Sequence, residues 1–313
     1  MKIIIHATAK GRELRPLTDR TCKALLPVAG KPVIVHLLEA LYRAGLRKAT
    51  IIAGPFADHL TRFLAGGTPW GMQLDVIPKS GFTGTVNSAD ANEDLLMLRG
   101  DILVDMDLQQ VLQHAKERES TQGISIAALI QGSARPLQLL LPERSINLLD
   151  SLQSYHQANM DVLNGRFKHL KPAGMELVDG IHSEPGATFD SKGICKSRVF
   201  VGTASRLYAD TEIDGTTVIG NHVLISHKVR LSNTVILPHT YVGAFTNLNQ
   251  SIVWGNVLIR VDTGVVTLIE DPHLLADITP EAPAKKRGWG LSRRRITNRL
   301  SRPISKKLST SAQ

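Results

Sequence analysis

From Val201 the chain places an apolar residue at every sixth position: Val201, Leu207, Ile213, Ile219, Ile225, Leu231 and Leu237. Val199, Val223, Val229 and Val235 stand two places before members of that series, and Gly202, Gly220 and Gly243 each directly follow an apolar residue. This hexapeptide repeat is the signature of a parallel β-helix. After 237 the register is expected to slip by one, giving Val242, Leu248, Val253 and Ile259. A coil of this kind contacts only its neighbours along one axis, so its open ends need caps or a partner.

The first half reads differently. Residues 2 to 7 form an apolar run that suits a buried parallel strand. The segment 31 to 54 follows with a helical pattern: Pro32 suits a first turn, and Val33, Leu37, Leu38, Leu41 and Tyr42 fall near one face. Gly45 is placed to end that helix, and Ala49 to Ala53 is the next strand. A helix near 57 to 65, a strand near 73 to 78 and a short apolar run at Leu95 to Leu98 continue the alternation. Strands alternating with helices predict a doubly wound α/β domain with a parallel sheet, whose ligands bind beyond the carboxyl ends of the strands. Between the two regions, Leu148, Leu149, Leu152, Met160, Leu163 and Phe167 predict an amphipathic connecting helix, with Asn147 or Asp150 as its cap and Gly165 near its end.

Composition narrows the function classes. Aromatic residues make up only 4%, so the core is aliphatic. Two distant cysteines, Cys22 and Cys195, give neither a disulfide framework nor a metal cluster, which points to the cytoplasm. The first residues do not read as a signal peptide, and no apolar run is long enough to span a membrane. The net charge of +9 belongs to one segment: residues 281 to 313 hold ten Lys or Arg against one Glu, and the rest holds 27 of each sign. A disordered, solvated tail is the plain reading of that segment. Residues 285 to 308 interleave cations with Trp289, Leu291, Ile296, Leu300 and Ile304, which suits peripheral docking on an anionic membrane surface. Nucleic acid is disfavoured, because the tail has a single Trp for stacking.

The opening MKIIIHATAKGRELRPLTDRTCKALLPVAGKPVIVHLLEAL resembles the sugar-1-phosphate nucleotidyltransferases, the nucleotide-sugar pyrophosphorylases. Their pattern is a strand, then A-A-G-x-G-T-R-L-x-P-L-T, then P-K-P-L-L-P-V-x-G-K-P. Gly11, Leu14 to Thr18, Lys23, Leu25 to Val28 and Gly30 to Pro32 match it without gaps. RGDILVDMDL, 99 to 108, resembles the family's N-G-D-x-L-x-D-x-D-L. The resemblance implies the reaction of a nucleotide triphosphate with a sugar-1-phosphate to give a nucleotide-sugar and pyrophosphate. It implies Lys23 on the phosphates, Gly11 in the loop backbone, Arg12 and Arg15 as charge donors, and Asp101 as a ligand to Mg²⁺. Gly81 and Gly84 lie in approximate register with the family's base- and sugar-reading segment. The implied architecture is a truncated, Rossmann-like nucleotidyltransferase domain over 1–141, a helical connector over 142–180, a left-handed parallel β-helix over 181–270 and a basic tail over 271–313. A homo-oligomer through the β-helix is a further implied partner.

Three departures matter. Ala9 stands where the pattern has its first glycine, a cost if the loop needs a positive φ there. Glu13 stands where it has arginine, so a carboxylate faces the place of pyrophosphate. Unit charges about 4 Å apart at an effective dielectric near 20 interact by roughly 4 kcal/mol, so that reversal is expected to impair turnover. Arg12 or Lys10 is the expected substitute cation. Finally, the E-K-P motif, the sugar-binding segment and the second metal-binding aspartate are not found. A non-catalytic nucleotide-binding or scaffold protein of a polysaccharide-assembly complex is therefore the alternative to an enzyme. The repeat's His222, His227 and His239 leave a hexapeptide acyltransferase as a distant third, and Cys22 reads as a structural cysteine.

Overall fold

Ile3, Ile4 and Ile5 are apolar on both sides of the strand they form, so that strand must be covered on both faces. It is the middle of a six-stranded sheet in the computed structural model, which describes residues 2–81, 95–114, 124–130, 137–141, 143–178, 180–190, 193–195, 197–208 and 210–280. In chain order come β1 (Lys2–Ala7), α1 (Val33–Arg43), β2 (Lys48–Ala53), α2 (Ala57–Leu64), β3 (Gln73–Pro78), β4 (Leu95–Arg99), α3 (Leu108–His114), β5 (Ile124–Ile130) and β6 (Leu137–Leu141). The sheet order is β3-β2-β1-β4-β5-β6. β1 runs parallel to both β2 and β4, and β2 to β3. The chain leaves β1 toward β2 and later returns to β1's other side as β4. That reversal opens a crevice at the carboxyl ends of β1 and β4, where sheets of this kind bind ligands.

Two details correct the sequence reading. β5 is antiparallel to β4, and β6 to β5, so the sheet is mixed rather than wholly parallel. Apolar runs do not encode strand direction, and an antiparallel hairpin edge is a common way to finish such a sheet. Tyr42, expected on the buried face of α1, is half exposed and holds the Arg47 guanidinium over its ring. The rest of that face is buried, and Gly45 at φ 80° ends the helix.

The six-residue repeat does build a β-helix. Val201, Ile219, Ile236 and Val253 stack in one parallel sheet. Leu207, Ile225 and Val242 stack in a second, and Ile213, Leu231 and Leu248 in a third. These ten side chains form one internal core. The register slip occurs before residue 237, not after it. The corner Gly215-Thr216-Thr217 has three residues before Val218, whereas Asn233-Thr234 has two before Val235, so Ile236 takes the inward place. Leu237 is buried all the same, in a different core outside the coil. Strands Val257–Arg260 and Leu275–Asp277 run antiparallel to the coils and cover the C-terminal end.

Helix α4 (Leu152–Leu163) joins the halves. Its cap is Ser151, not Asn147 or Asp150: Ser151 Oγ accepts from the Ser154 amide, and Ser154 Oγ accepts from the Ser151 amide, both at 3.0 Å. Asn147 instead accepts from the Leu149 amide one turn earlier. Tyr155 donates to the Pro27 carbonyl at 2.6 Å, and buried Asn159 accepts from the Ala29 amide at 2.9 Å. On its other side, His156 bonds the Asn233 carbonyl of the β-helix. Leu14, Leu17, Leu26 and Val28 share a core with Tyr155, Phe167, Phe200, Val218, Val235 and Ile252. Phe200 lies directly under Gly30, whose φ is 88° and whose added Cβ would fall 2.2 Å from the ring. The segment that carries the chemical motif is thus seated on the β-helix. Among the described residues, no helix is long and apolar enough to cross a membrane.

Candidate functional site

The loop after β1 is held open by glycine at two neighbouring strand ends. The Gly54 amide donates to the Ala7 carbonyl, and the Gly100 amide to the His6 carbonyl. A side chain at Gly54 would meet Thr8 backbone at 2.7 Å, and one at Gly100 would meet Ile5 at 2.6 Å. Neither glycine was singled out in the sequence, since each lies outside the loop it supports. Within the loop, Gly11 adopts φ 62°. Thr18 Oγ1 donates to its carbonyl at 2.6 Å, and a Cβ there would strike Thr18 at 2.7 Å and crowd Lys23. Ala9 does not have a positive φ, so the backbone penalty expected for it does not arise.

Lys23 is buried, 3% exposed, and its Nζ donates to Glu13 Oε1 at 2.9 Å. An ammonium so far from water needs a counter-charge. The sequence showed Glu13 as a misplaced carboxylate; the structure makes it the partner of the motif lysine. Burial pushes the Glu13 carboxyl up, but its own backbone amide, Lys23 and then Arg99 together hold it below the ordinary range.

Asp101 is 5% exposed and accepts from Arg99 Nε at 3.2 Å. His6, which pairs in register with Arg99, has an Nε2 that is buried and without a hydrogen-bond partner. Burial lowers its pKa against an opposing pull from Asp101, and Lys79 lowers it further. The crevice therefore gathers Glu13, Lys23, Arg99 and Asp101, and both Asp101 and Lys79 are close enough to act on His6. Arg99, His6 and Lys79 escaped the sequence reading. The signal for Arg99 was present: it occupies the asparagine position of the N-G-D pattern.

Among the described residues, no hydrogen bond or ion pair joins Arg12 or Arg15 to this set. Arg15 is exposed and pairs with Asp19 at 2.9 Å. Arg12 is exposed, with no side-chain partner among the described residues. Gly81 ends a short turn after β3, where, among the described residues, an added Cβ would meet Ile77 at 4.0 Å. Gly84 and the basic segment 285–308 lie outside the described residues. Cys22 is buried, and burial pushes its thiol up, consistent with a structural role. His222 and His239 stack on each other at a corner of the β-helix, and His227 packs on Tyr208. Asp105 accepts from the Lys168 and His169 amides and so fixes the connector. Among the described residues no group of three or more His, Cys, Asp or Glu is placed to hold a metal ion. Asp101 is the residue that would hold a Mg²⁺, an ion that takes oxygen ligands.

The family model for nucleotidyl transferases matches residues 2–136. Glucose-1-phosphate thymidylyltransferase of Streptomyces griseus is 34% identical over 96 residues, 31% of this chain and 27% of that protein. N-acetylmuramate alpha-1-phosphate uridylyltransferase of Neisseria meningitidis is 33% identical over 122 residues, 37% of this chain and 53% of that protein. In both cases the match spans less than two thirds of the relative. A UTP–glucose-1-phosphate uridylyltransferase of Synechocystis is 21% identical over 344 positions, covering 83% of this chain and 88% of that protein. That alignment is longer than the 313-residue chain itself, so the relative carries stretches with no counterpart here.

Proposed function

We propose, because residues 2–136 match the family model for nucleotidyl transferases, that this chain binds a nucleotide triphosphate and a sugar-1-phosphate at the β1–β4 crevice, with nucleotidyl transfer strongly impaired. The observation that carries this reading is the 2.9 Å contact between buried Lys23 and Glu13. In the implied reaction a sugar-phosphate oxygen bonds the α-phosphorus while the bond to pyrophosphate breaks. The protein's share is positioning and charge neutralisation. Lys23 supplies charge to that centre only when it leaves Glu13. Glu13 is about one-third exposed at its side chain, so it has room to turn toward solvent. Giving up an attraction of roughly 4 kcal/mol at such a contact corresponds to about three orders of magnitude in rate. Asp101 would hold a Mg²⁺, which would supply positive charge to the phosphates.

The test is pyrophosphate release from a panel of nucleotide triphosphates and sugar-1-phosphates with Mg²⁺, for the wild type and for Glu13→Arg. Release near background in the wild type and a rise of at least tenfold in Glu13→Arg is the expected result. Rapid wild-type turnover contradicts the impairment. A scaffold role in polysaccharide assembly is the second reading. The chemistry of the basic segment supports an anionic-membrane anchor for it, and the stacked coils offer a face for a second copy. Deleting residues 281–313 is expected to abolish binding to vesicles of anionic lipid; equal binding by the shortened chain rules out that anchor.

A further inference from the structure

The resembled patterns have arginine at position 13 of the loop and asparagine at position 99 of the later N-G-D segment, whereas this chain has glutamate and arginine there. The positive charge has changed sides of the crevice. We infer that Arg99 is the residue that grips the polyphosphate of a bound nucleotide from the β4 side, in place of the loop cation replaced by Glu13. This inference rests on the nucleotide-binding reading above.

Four observations carry it. Arg99 is the last residue of β4, opposite His6 of β1, and so stands at the point where the sheet order reverses. The Gly100 amide is tied to the His6 carbonyl and a side chain at Gly100 would strike Ile5, so Arg99 and Asp101 are fixed relative to the loop. The Arg99 side chain is 42% exposed, and only its Nε is engaged, by Asp101; its terminal Nη groups make no hydrogen bond among the described residues. A guanidinium held by one edge presents its fork to a phosphate, which it can bind through two parallel N–H···O bonds. Finally, Arg99 is close enough to Glu13 to act on its carboxyl. Lys23, Glu13, Arg99 and Asp101 thus alternate in sign across the crevice. An incoming polyphosphate replaces Glu13 as the anion between the two cations, while Asp101 keeps Arg99 aimed.

Arg12 and Lys10, the substitutes suggested by the sequence, are exposed, and among the described residues their side chains make no hydrogen bond or ion pair with this set. Arg99 is already in place, and no loop movement is needed to bring it there.

Calorimetric titration of the full chain with inorganic triphosphate and with nucleotide triphosphates tests the inference. Arg99→Asn is expected to weaken binding at least tenfold, and Arg99→Lys to recover only part of it. Because Asp101 is buried, Arg99→Asn also removes its counter-charge, so the same comparison is made in an Asp101→Asn background, where no bare carboxylate remains. There too the second substitution is expected to cost at least tenfold. Glu13→Arg added to Arg99→Asn is expected to restore wild-type affinity by returning the cation to the loop. Wild-type affinity in Arg99→Asn, with binding lost in Lys23→Ala, overturns the role of Arg99 and leaves the nucleotide site standing. No binding of any nucleotide by the wild type overturns the site itself, and Arg99 with it.

Discussion

The segment from Gly11 to Pro32 has two sides with different fates. On the side turned to the β-helix, Leu14, Leu17, Leu26 and Val28 are completely or almost completely buried, and hydrogen bonds tie Tyr155 to Pro27 and Asn159 to Ala29. On the side turned to the crevice, Lys23 pairs with Glu13 and Arg99 with Asp101. The first side keeps the resembled pattern residue for residue, and the second has exchanged charges within it. Packing constrains volume and shape at each position, so its residues are hard to alter singly. A charge network tolerates exchange provided that each buried charge keeps a partner. The seat of the loop and its chemistry are therefore separable, and substitutions on the two sides are expected to have different readouts.

The largest effect is expected on the packed side. Phe200→Ala removes the ring beneath Gly30 from a core common to the loop, α4 and the β-helix. Truncations of this kind cost about 3–5 kcal/mol. Chemical denaturation should show that loss for the whole of residues 1–279 in one transition. A loss confined to the β-helix would mean that the loop does not depend on its seat.

Acid should attack the same side next. His36 is fully buried on α1, bonded to the Val28 carbonyl. Burial lowers its pKa from 6.5 to about 4, against a smaller raising pull from Val28. The unfolded chain takes up this proton first, so the contribution is fully present above pH 6.5 and is lost as pH falls toward 4. The shift corresponds to about 3 kcal/mol. Stability measured from pH 7 to pH 4 should fall accordingly, and His36→Gln should flatten the slope. An unchanged slope in that variant would assign the acid sensitivity to other groups, such as His156, whose pKa is also lowered by burial.

A smaller effect isolates one contact. Tyr155→Phe keeps the ring and removes the hydroxyl that bonds Pro27 at 2.6 Å. A loss of about 1 kcal/mol, from the bond and the stranded carbonyl, is expected in denaturation midpoints. Nucleotide affinity should stay within twofold of the wild type. A large affinity loss would show that the two sides are coupled.

What the sequence revealed follows the same division. β1, β2 and the β-helix were legible because buried strands and inward positions must be apolar at fixed spacing. Leu237 misled because Ile236 beside it is also apolar and both are buried, in different cores. The strand direction of β5 and β6 carries no such signal. The cap of α4 is a Ser-x-x-Ser pair, whose sequence signal is no stronger than that of Asn147 or Asp150 just upstream. In the site, Glu13 was visible as an anomaly. Its distance to Lys23 was not, because ten positions separate the two in sequence and only the Gly11 turn and Thr18 bring them together. Arg99 was readable as a mismatch in Arg-Gly-Asp, and its meaning depended on Glu13 across the crevice.

The central claim is that the motif lysine is neutralised from within its own loop. The most direct test is calorimetric titration of inorganic triphosphate into the wild type and Glu13→Ala. Removing the carboxylate should tighten binding at least tenfold, with the gain abolished in Lys23→Ala. Equal or weaker binding by Glu13→Ala would show that Glu13 does not compete for Lys23 and would contradict the account.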